Sequence, residues 1–141
     1  MFKTLLLAVD VNAPDGAERS MEAALSMARA EGATLHLLNV VPDPGMAIVG
    51  ASLTKDQMQQ ALSAAQTELQ NWAAAHVPAD VQHQLHIAEG TVYDQILRTA
   101  NDIGVDAIIV GAHRPALRDY LIGPNAARVA RHATQSVFVI R

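Results

Sequence analysis

The clearest signal for the fold lies in residues 107–127, which read AIIVG, then AHRPALRDYLI, then GPNAA, the pattern of a strand, a loop and the start of a helix. The first block is a short apolar run ending on Gly111, which is typical of a strand buried on both faces. The second block is a polar loop that carries cationic side chains. The third block opens a helical pattern after Gly123. A helix N-terminus placed after a buried strand and a loop offers backbone N–H groups and a positive dipole end, which suit a phosphate.

Apolar runs alternate with helical patterns along the rest of the chain. The runs with strand character cover residues 5–9, 35–41, 81–88, 107–110 and 136–140. Between them apolar residues recur at helical spacing, and Gly32 and Gly104 are good stop signals. This β-α-β-α-β-α-β-α-β order predicts an α/β, Rossmann-like fold. We expect a doubly wound five-stranded parallel sheet in the order 3-2-1-4-5, with helices on both faces and residues 1–141 in a single domain.

Smaller signals refine this prediction. Thr54 and Gln57 fit a capping box before the second helical pattern, and Thr91 with Asp94 is a further helix-start signal. Residues 81–88 alternate between apolar and polar side chains, which predicts a half-exposed strand at one edge of the sheet.

Composition excludes several classes of function. Half of the 141 residues are apolar, 17% are charged and the net charge is −4, which disfavours broad nucleic-acid binding. The chain has no cysteine, so disulfides, thiol catalysis and thiolate metal sites are excluded. The spacing of the six histidines does not match a zinc site. No apolar run approaches the roughly 18 residues of a membrane span, and the start does not read as a signal peptide, so we expect a cytoplasmic protein.

The region quoted first resembles the universal stress protein family, and the likeness extends over essentially the whole chain. ATP-binding members of that family carry a glycine, two residues, a glycine, nine residues, a glycine and then serine or threonine. Gly111 matches the first glycine and Gly123 the last. Arg114 stands at the second glycine position, with eight rather than nine residues between it and Gly123, and Pro124 stands where the hydroxyl residue is expected.

A closer likeness is to a small bacterial subgroup of the family whose loop has His-Arg-Pro in place of a glycine. The matching positions are His113, Arg114, Pro115, Tyr120, Leu121, Gly123, Asn125 to Ala127, Val129, Arg131, His132 and Ala133. That subgroup usually has serine between the glycine and the asparagine, so Pro124 departs from its pattern as well.

The resemblance implies an adenine nucleotide, ATP with Mg²⁺, in the crevice between the first and fourth strands. Asp10 would accept from ribose hydroxyls or help to hold the Mg²⁺; the alternative is a turn residue. No other metal is expected. Val40 would read adenine through its backbone, with Ala8 and Val9 as the adjoining wall. Simple strand burial explains these three apolar residues equally well.

At the phosphate end, Gly111 would let the backbone approach the ligand, or simply form a tight turn after the strand. Pro124, which follows Gly123, removes one N–H and the expected hydroxyl from the cradle. Asn125 can cap the helix or replace the lost polar contact, and the N–H groups of Asn125 and Ala126 can still meet a phosphate.

The two cations of the loop offer compensation for the missing groups. Arg114 can bind a phosphate through its guanidinium fork, and His113 can donate a further hydrogen bond. In the alternative interpretation the loop is solvated and Arg114 pairs with Asp119 or with water.

The last strand predicts a homodimer, since a long apolar edge invites pairing and the family often dimerises there. The pairing residues would be Val137, Phe138, Val139 and Ile140; alternatively the chain covers this edge itself. The resemblance implies a stress-response regulatory or sensing module, with no catalytic residue and at most a slow ATPase or self-phosphorylating activity. The alternative is a dimeric stress-response interaction protein that has lost nucleotide binding. The sequence does not identify a protein partner.

Overall fold

A computed structural model describes residues 1–10, 14–42, 54–112 and 123–141, the side chains of residues 14 and 15 excepted. Its elements, in chain order, are β1 (Thr4–Ala8), α1 (Pro14–Glu31), β2 (Thr34–Val41), α2 (Lys55–His76), β3 (His83–Glu89), α3 (Val92–Ile103), β4 (Ala107–Gly111), α4 (Pro124–His132) and β5 (Ser136–Ile140). The strands pair in the order β3-β2-β1-β4-β5, and every pair is parallel. The predicted doubly wound sheet and its strand order are therefore confirmed.

Two apolar layers sandwich the sheet. Leu5 and Leu7 of the central strand β1 point to the layer formed with α1 and α2, whereas Leu6 points to the layer formed with α3 and α4. All three side chains are completely buried. Burying a leucine stabilises the fold by about 1.5–3 kcal/mol, so the uninterrupted apolar run of β1 fixes this strand at the centre of the sheet.

The helix ends follow the local signals in the sequence. Gly32 and Gly104 follow α1 and α3 with φ values of 63° and 78°, a left-handed conformation that glycine adopts without steric cost. At the start of α2, Thr54 Oγ1 accepts from the Gln57 N–H at 3.1 Å and Gln57 Oε1 accepts from the Thr54 N–H at 3.0 Å. The capping box predicted there is confirmed. Thr91 is the N-cap of α3, but its side chain makes no capping bond.

Side-chain hydrogen bonds tie the amino ends of the two central strands together. Asp106, just before β4, accepts from the N–H groups of Lys3 and Thr4 at 2.8 and 2.9 Å, and its own N–H donates to the Thr4 carbonyl at 2.8 Å. These bonds fix the spacing between β1 and β4 at this edge of the sheet. Of the helices in the described ranges, none has the length and hydropathy needed to cross a lipid bilayer.

Candidate functional site

The two central strands separate at the carboxyl edge of the sheet. The β1–β4 ladder ends with the pair Leu7 and Ile109. Beyond it the chain stays with β2, because the Val9 N–H donates to the Leu38 carbonyl at 2.8 Å. β4 instead follows β5 to the last residue pair of that ladder. The strand order reverses at this point, and in open α/β sheets a crevice for ligands forms there.

The start of α4 carries backbone N–H groups without a helical acceptor. Gly123 is its N-cap in an extended conformation, and the first helical bond runs from the Ala127 N–H to the Gly123 carbonyl at 3.0 Å. Pro124 is the first helical residue and has no N–H. The N–H groups of Asn125 and Ala126 therefore have no partner within the helix. The first turn contains no acidic residue, so its positive dipole end is not compensated within the turn.

Three of the predicted apolar site residues share one face of the sheet. Ala126 belongs to the apolar layer under α3 and α4, and Ala8 and Val40 pack against that layer while half-buried. Val9 is buried in the other layer, under α1 and α2. The structure therefore brings Ala8, Val40 and the first turn of α4 to one face, and puts Val9 behind it.

The polar candidates divide into described and undescribed residues. Asp10 is exposed and lies two residues beyond the end of β1, which puts it at the carboxyl edge of the sheet. Gly123 is buried, Pro124 is exposed and Asn125 is half-buried. The predicted residues His113 and Arg114 lie outside the described residues, so their roles stay predictions.

Gly111 has a packing role that the sequence did not reveal. A Cβ atom at Gly111 would lie 2.9 Å from Ser20 Oγ, and Ser20 is buried and donates to the Gly16 carbonyl at 3.0 Å. The missing side chain thus lets α1 pack closely over the end of β4. Close approach of Gly111 to a ligand remains a separate prediction. No local pattern identifies this contact, because α1 and β4 are far apart in the chain.

A shallow groove of about 630 Å³ lies at the end of α1 and the approach to β3, away from the crevice. Its lining includes an exposed ion pair, in which Arg29 Nε donates to Asp80 Oδ2 at 3.0 Å. That hydrogen bond holds the pKa of Asp80 below its ordinary value. Within the described ranges no three histidine or carboxylate side chains are grouped closely enough to hold a metal ion. Among the described residues the groove thus contains an exposed ion pair but no group of metal ligands.

The model of the universal stress protein family matches residues 1–141 of the chain. The chain belongs to this family. Universal stress protein G of Escherichia coli O157:H7 is 28% identical to it over 149 residues, which cover 100% of both chains. Membership confirms the family resemblance seen in the sequence.

Solved structures of the family show the same fold. A universal stress protein from Burkholderia pseudomallei is 22% identical, covers 99% of this chain and 96% of its own, and superposes with a TM-score of 0.75. The universal stress protein from Archaeoglobus fulgidus in complex with dAMP is 21% identical, covers 99% of this chain and 98% of its own, and has a TM-score of 0.62.

Proposed function

We propose that this universal stress protein binds an adenine nucleotide in the crevice between β1 and β4, and that it works as a stress-response regulatory or sensing module. The observation that carries the proposal is the start of α4, with two N–H groups lacking helical acceptors and no acidic residue in its first turn. The dAMP complex of the Archaeoglobus protein, which has the same fold, supports it. Residues 1–141 act as one domain, in the cytoplasm.

The adenosine part of the ligand occupies the apolar side of the crevice in this proposal. Ala8 and Val40 are half-buried and pack on the layer under α3 and α4, so they offer apolar surface without being closed off. Adenine lies there against the Val40 backbone, with Val9 completing the wall from behind. Asp10 accepts from the ribose hydroxyls, because its carboxylate follows β1 at the carboxyl edge.

The phosphate end of the ligand meets the first turn of α4. The N–H groups of Asn125 and Ala126 donate to phosphate oxygens, favoured by the helix dipole. Arg114 and His113 donate hydrogen bonds to the phosphates. These bonds replace the N–H that Pro124 lacks and the backbone contact that a glycine at position 114 would allow. The physiological ligand in this proposal is ATP, with Mg²⁺ on its phosphates and Asp10 nearby.

Calorimetric titration with dAMP, ATP and ATP–Mg²⁺ tests the proposal. Wild-type protein is expected to bind with a roughly micromolar Kd. Asp10→Asn is expected to weaken the binding of every nucleotide, because the residue contacts the ribose. Arg114→Gly is expected to weaken the binding of ATP more than that of dAMP, because the residue contacts the phosphates. Asp102→Asn is the matched control, since this exposed carboxylate lies near the end of α3. Absence of heat with all three nucleotides, from protein that is folded, would overturn the proposal.

The second candidate is a stress-response interaction protein that has lost nucleotide binding, and Pro124 at the first position of α4 favours it. Proline has no backbone N–H, so the helix lacks one hydrogen-bond donor that any other residue type at this position would offer to a phosphate. Nucleotide binding to the native state must raise the melting temperature, so an unchanged Tm at millimolar nucleotide selects this candidate.

A slow ATPase or self-phosphorylating activity is tested by Mg²⁺-dependent phosphate release that Asp10→Ala abolishes.

We also propose that the protein forms a homodimer through β5, which is the last strand in the sheet order. The side chains of this strand pack on the protein's own apolar layers, Val137 and Val139 on one and Phe138 and Ile140 on the other. The outer side of β5 therefore offers backbone N–H and carbonyl groups for pairing with a second copy. Sedimentation equilibrium is expected to give twice the chain mass, and a monomer at high concentration would contradict this.

A further inference from the structure

Two histidines from neighbouring strands contact each other away from the crevice. His36 Nδ1 on β2 and His86 Nε2 on β3 lie 2.8 Å apart, and their ring centroids are separated by 5.1 Å. His36 is only 7% exposed, and His86 is half-buried. The contact joins the edge strand β3 to β2, the strand with which it pairs in the sheet.

A hydrogen bond between two imidazoles limits how many protons the pair can hold. One ring nitrogen donates and the facing nitrogen must accept, so the accepting ring has to be neutral. A second proton would turn both facing nitrogens into donors and bring two positive charges within hydrogen-bonding distance. Because His36 is buried and His86 half-buried, solvent screens this repulsion less than it would on the surface.

The elements around the pair offer little compensation for added charge. Strands β1 and β2 contain no other ionisable side chain, and those of β3, His83 and Glu89, alternate onto the opposite face from His86. On α3, which packs over this face, Asp94 and Arg98 bind each other at 2.8 Å and Asp102 is exposed. The remaining ionisable group of α3 is Tyr93, whose ring lies 5.0 Å from the guanidinium carbon of Arg128.

We propose that the His36–His86 pair is an acid-sensitive latch that holds β3 on the sheet while the pair carries at most one proton and loosens the strand when it takes up a second. β3 is the edge strand, so the loss of this contact is not compensated by another strand on its outer side. Acidification therefore acts first on one edge of the sheet and leaves the central strands in place.

The direction of the pH effect follows from burial. Burial lowers the pKa of both rings below the ordinary value of 6.5, and in His36 the charge of His86 lowers it further. The unfolded chain thus binds more protons than the folded protein in mildly acidic solution. The stabilisation from the pair is fully present above pH 6.5 and is lost as the pH falls through the folded-state pKa values.

Hydrogen exchange of the β3 backbone amides tests the latch, with rates corrected for intrinsic pH dependence. Between about pH 7.5 and about pH 5.5, protection in β3 is expected to fall by roughly tenfold more than protection in β1. His86→Gln keeps a neutral hydrogen-bonding group but removes one titrating ring, so the extra loss is expected to shrink to the part that burial of His36 alone causes. His83→Gln, an exposed histidine on the same strand, is the control and behaves like wild type.

Two results would overturn the latch. One is protection in β3 that changes with pH no more than protection in β1. The other is a His86→Gln protein that keeps the full tenfold loss. If this variant does not fold, NMR titration of the imidazoles in wild-type protein replaces it: the second protonation must coincide with the loss of β3 protection, and protonation without that loss contradicts the proposal.

Discussion

Helices α2 and α4 begin very differently, although the first N–H groups of both lack an acceptor within the helix. At the start of α2, Thr54 and Gln57 bind each other's backbone N–H groups, and Asp56 adds a negative charge to the first turn. At the start of α4, Gly123 has no side chain, Pro124 follows it and no acidic residue is present. The start of α2 thus has a side-chain cap and a compensating negative charge, whereas the described residues give the start of α4 neither.

This difference indicates where a ligand is expected to bind. A polar backbone group without a partner destabilises the fold unless water or a ligand supplies the missing bond. The capping box lowers that cost at α2, whereas no described side chain lowers it at α4, beside the separated central strands. An open helix start and a strand-order reversal at one place are two independent reasons to put an anion there.

The largest expected effect comes from Gly111, where the end of β4 packs against α1 at the carboxyl edge of the sheet. Gly111→Ala introduces a Cβ 2.9 Å from Ser20 Oγ and is expected to cost about 1–3 kcal/mol of unfolding free energy, measured in urea. Ser20→Ala removes the oxygen, so adding it to Gly111→Ala should recover part of the loss. Equal unfolding free energies for Gly111→Ala and wild type would show that this edge is loosely packed.

The second prediction closes the open helix start with a charge. Asn125→Asp places a carboxylate in the first turn of α4, as Asp56 does in α2. It is expected to weaken nucleotide binding by roughly tenfold, or about 1.4 kcal/mol, and to stabilise the helix by roughly 0.3–1 kcal/mol. Calorimetry and urea unfolding measure the two effects. If the variant binds nucleotide as tightly as wild type, the phosphate does not bind at the start of α4 and the prediction is wrong.

The third prediction opens the closed helix start. Thr54→Ala removes the acceptor of the Gln57 N–H and is expected to lower the unfolding free energy by about 1 kcal/mol. Nucleotide affinity should stay at the wild-type value, because this cap lies outside the proposed site. A weakened affinity would mean that the start of α2 takes part in binding.

The smallest expected effect comes from α3. Thr91 occupies the N-cap of that helix, but its side chain makes no capping bond. Thr91→Ala is therefore expected to cost only a few tenths of a kcal/mol, clearly less than Thr54→Ala in the same urea measurement. Equal losses for the two variants would contradict the distinction between a bonded cap and an unbonded one.

Much of the fold could be predicted because buried parallel strands leave continuous apolar runs in the sequence. The limits of the strands were less certain: the run at residues 5–9 predicted a strand ending at Val9, whereas β1 ends at Ala8. Val9 follows the last residue pair of the ladder, but its side chain is buried and its N–H still bonds to the Leu38 carbonyl, which is why its sequence signal matches that of the strand. The strand order alone predicts where the crevice lies, and that order is confirmed.

Contacts between distant residues could not be predicted. His36 and His86 were placed on separate strands from the sequence, but their contact depends on the register of β2 against β3 across 50 residues. Gly111 looked like a turn or ligand glycine, and its contact with Ser20 depends on how α1 packs over β4. Periodicity identifies the face on which a side chain lies, but not the neighbour it meets there.

The most direct test of the account is an NMR titration of backbone amides with dAMP, using adenosine as the control without a phosphate. The account predicts that the Asn125 and Ala126 amides shift and saturate with the calorimetric Kd for dAMP, and shift much less with adenosine. The Asp56 and Gln57 amides at the closed start of α2 should not shift with either ligand. Bound dAMP that leaves the α4 amides unshifted would contradict the claim that this open helix start receives the phosphate.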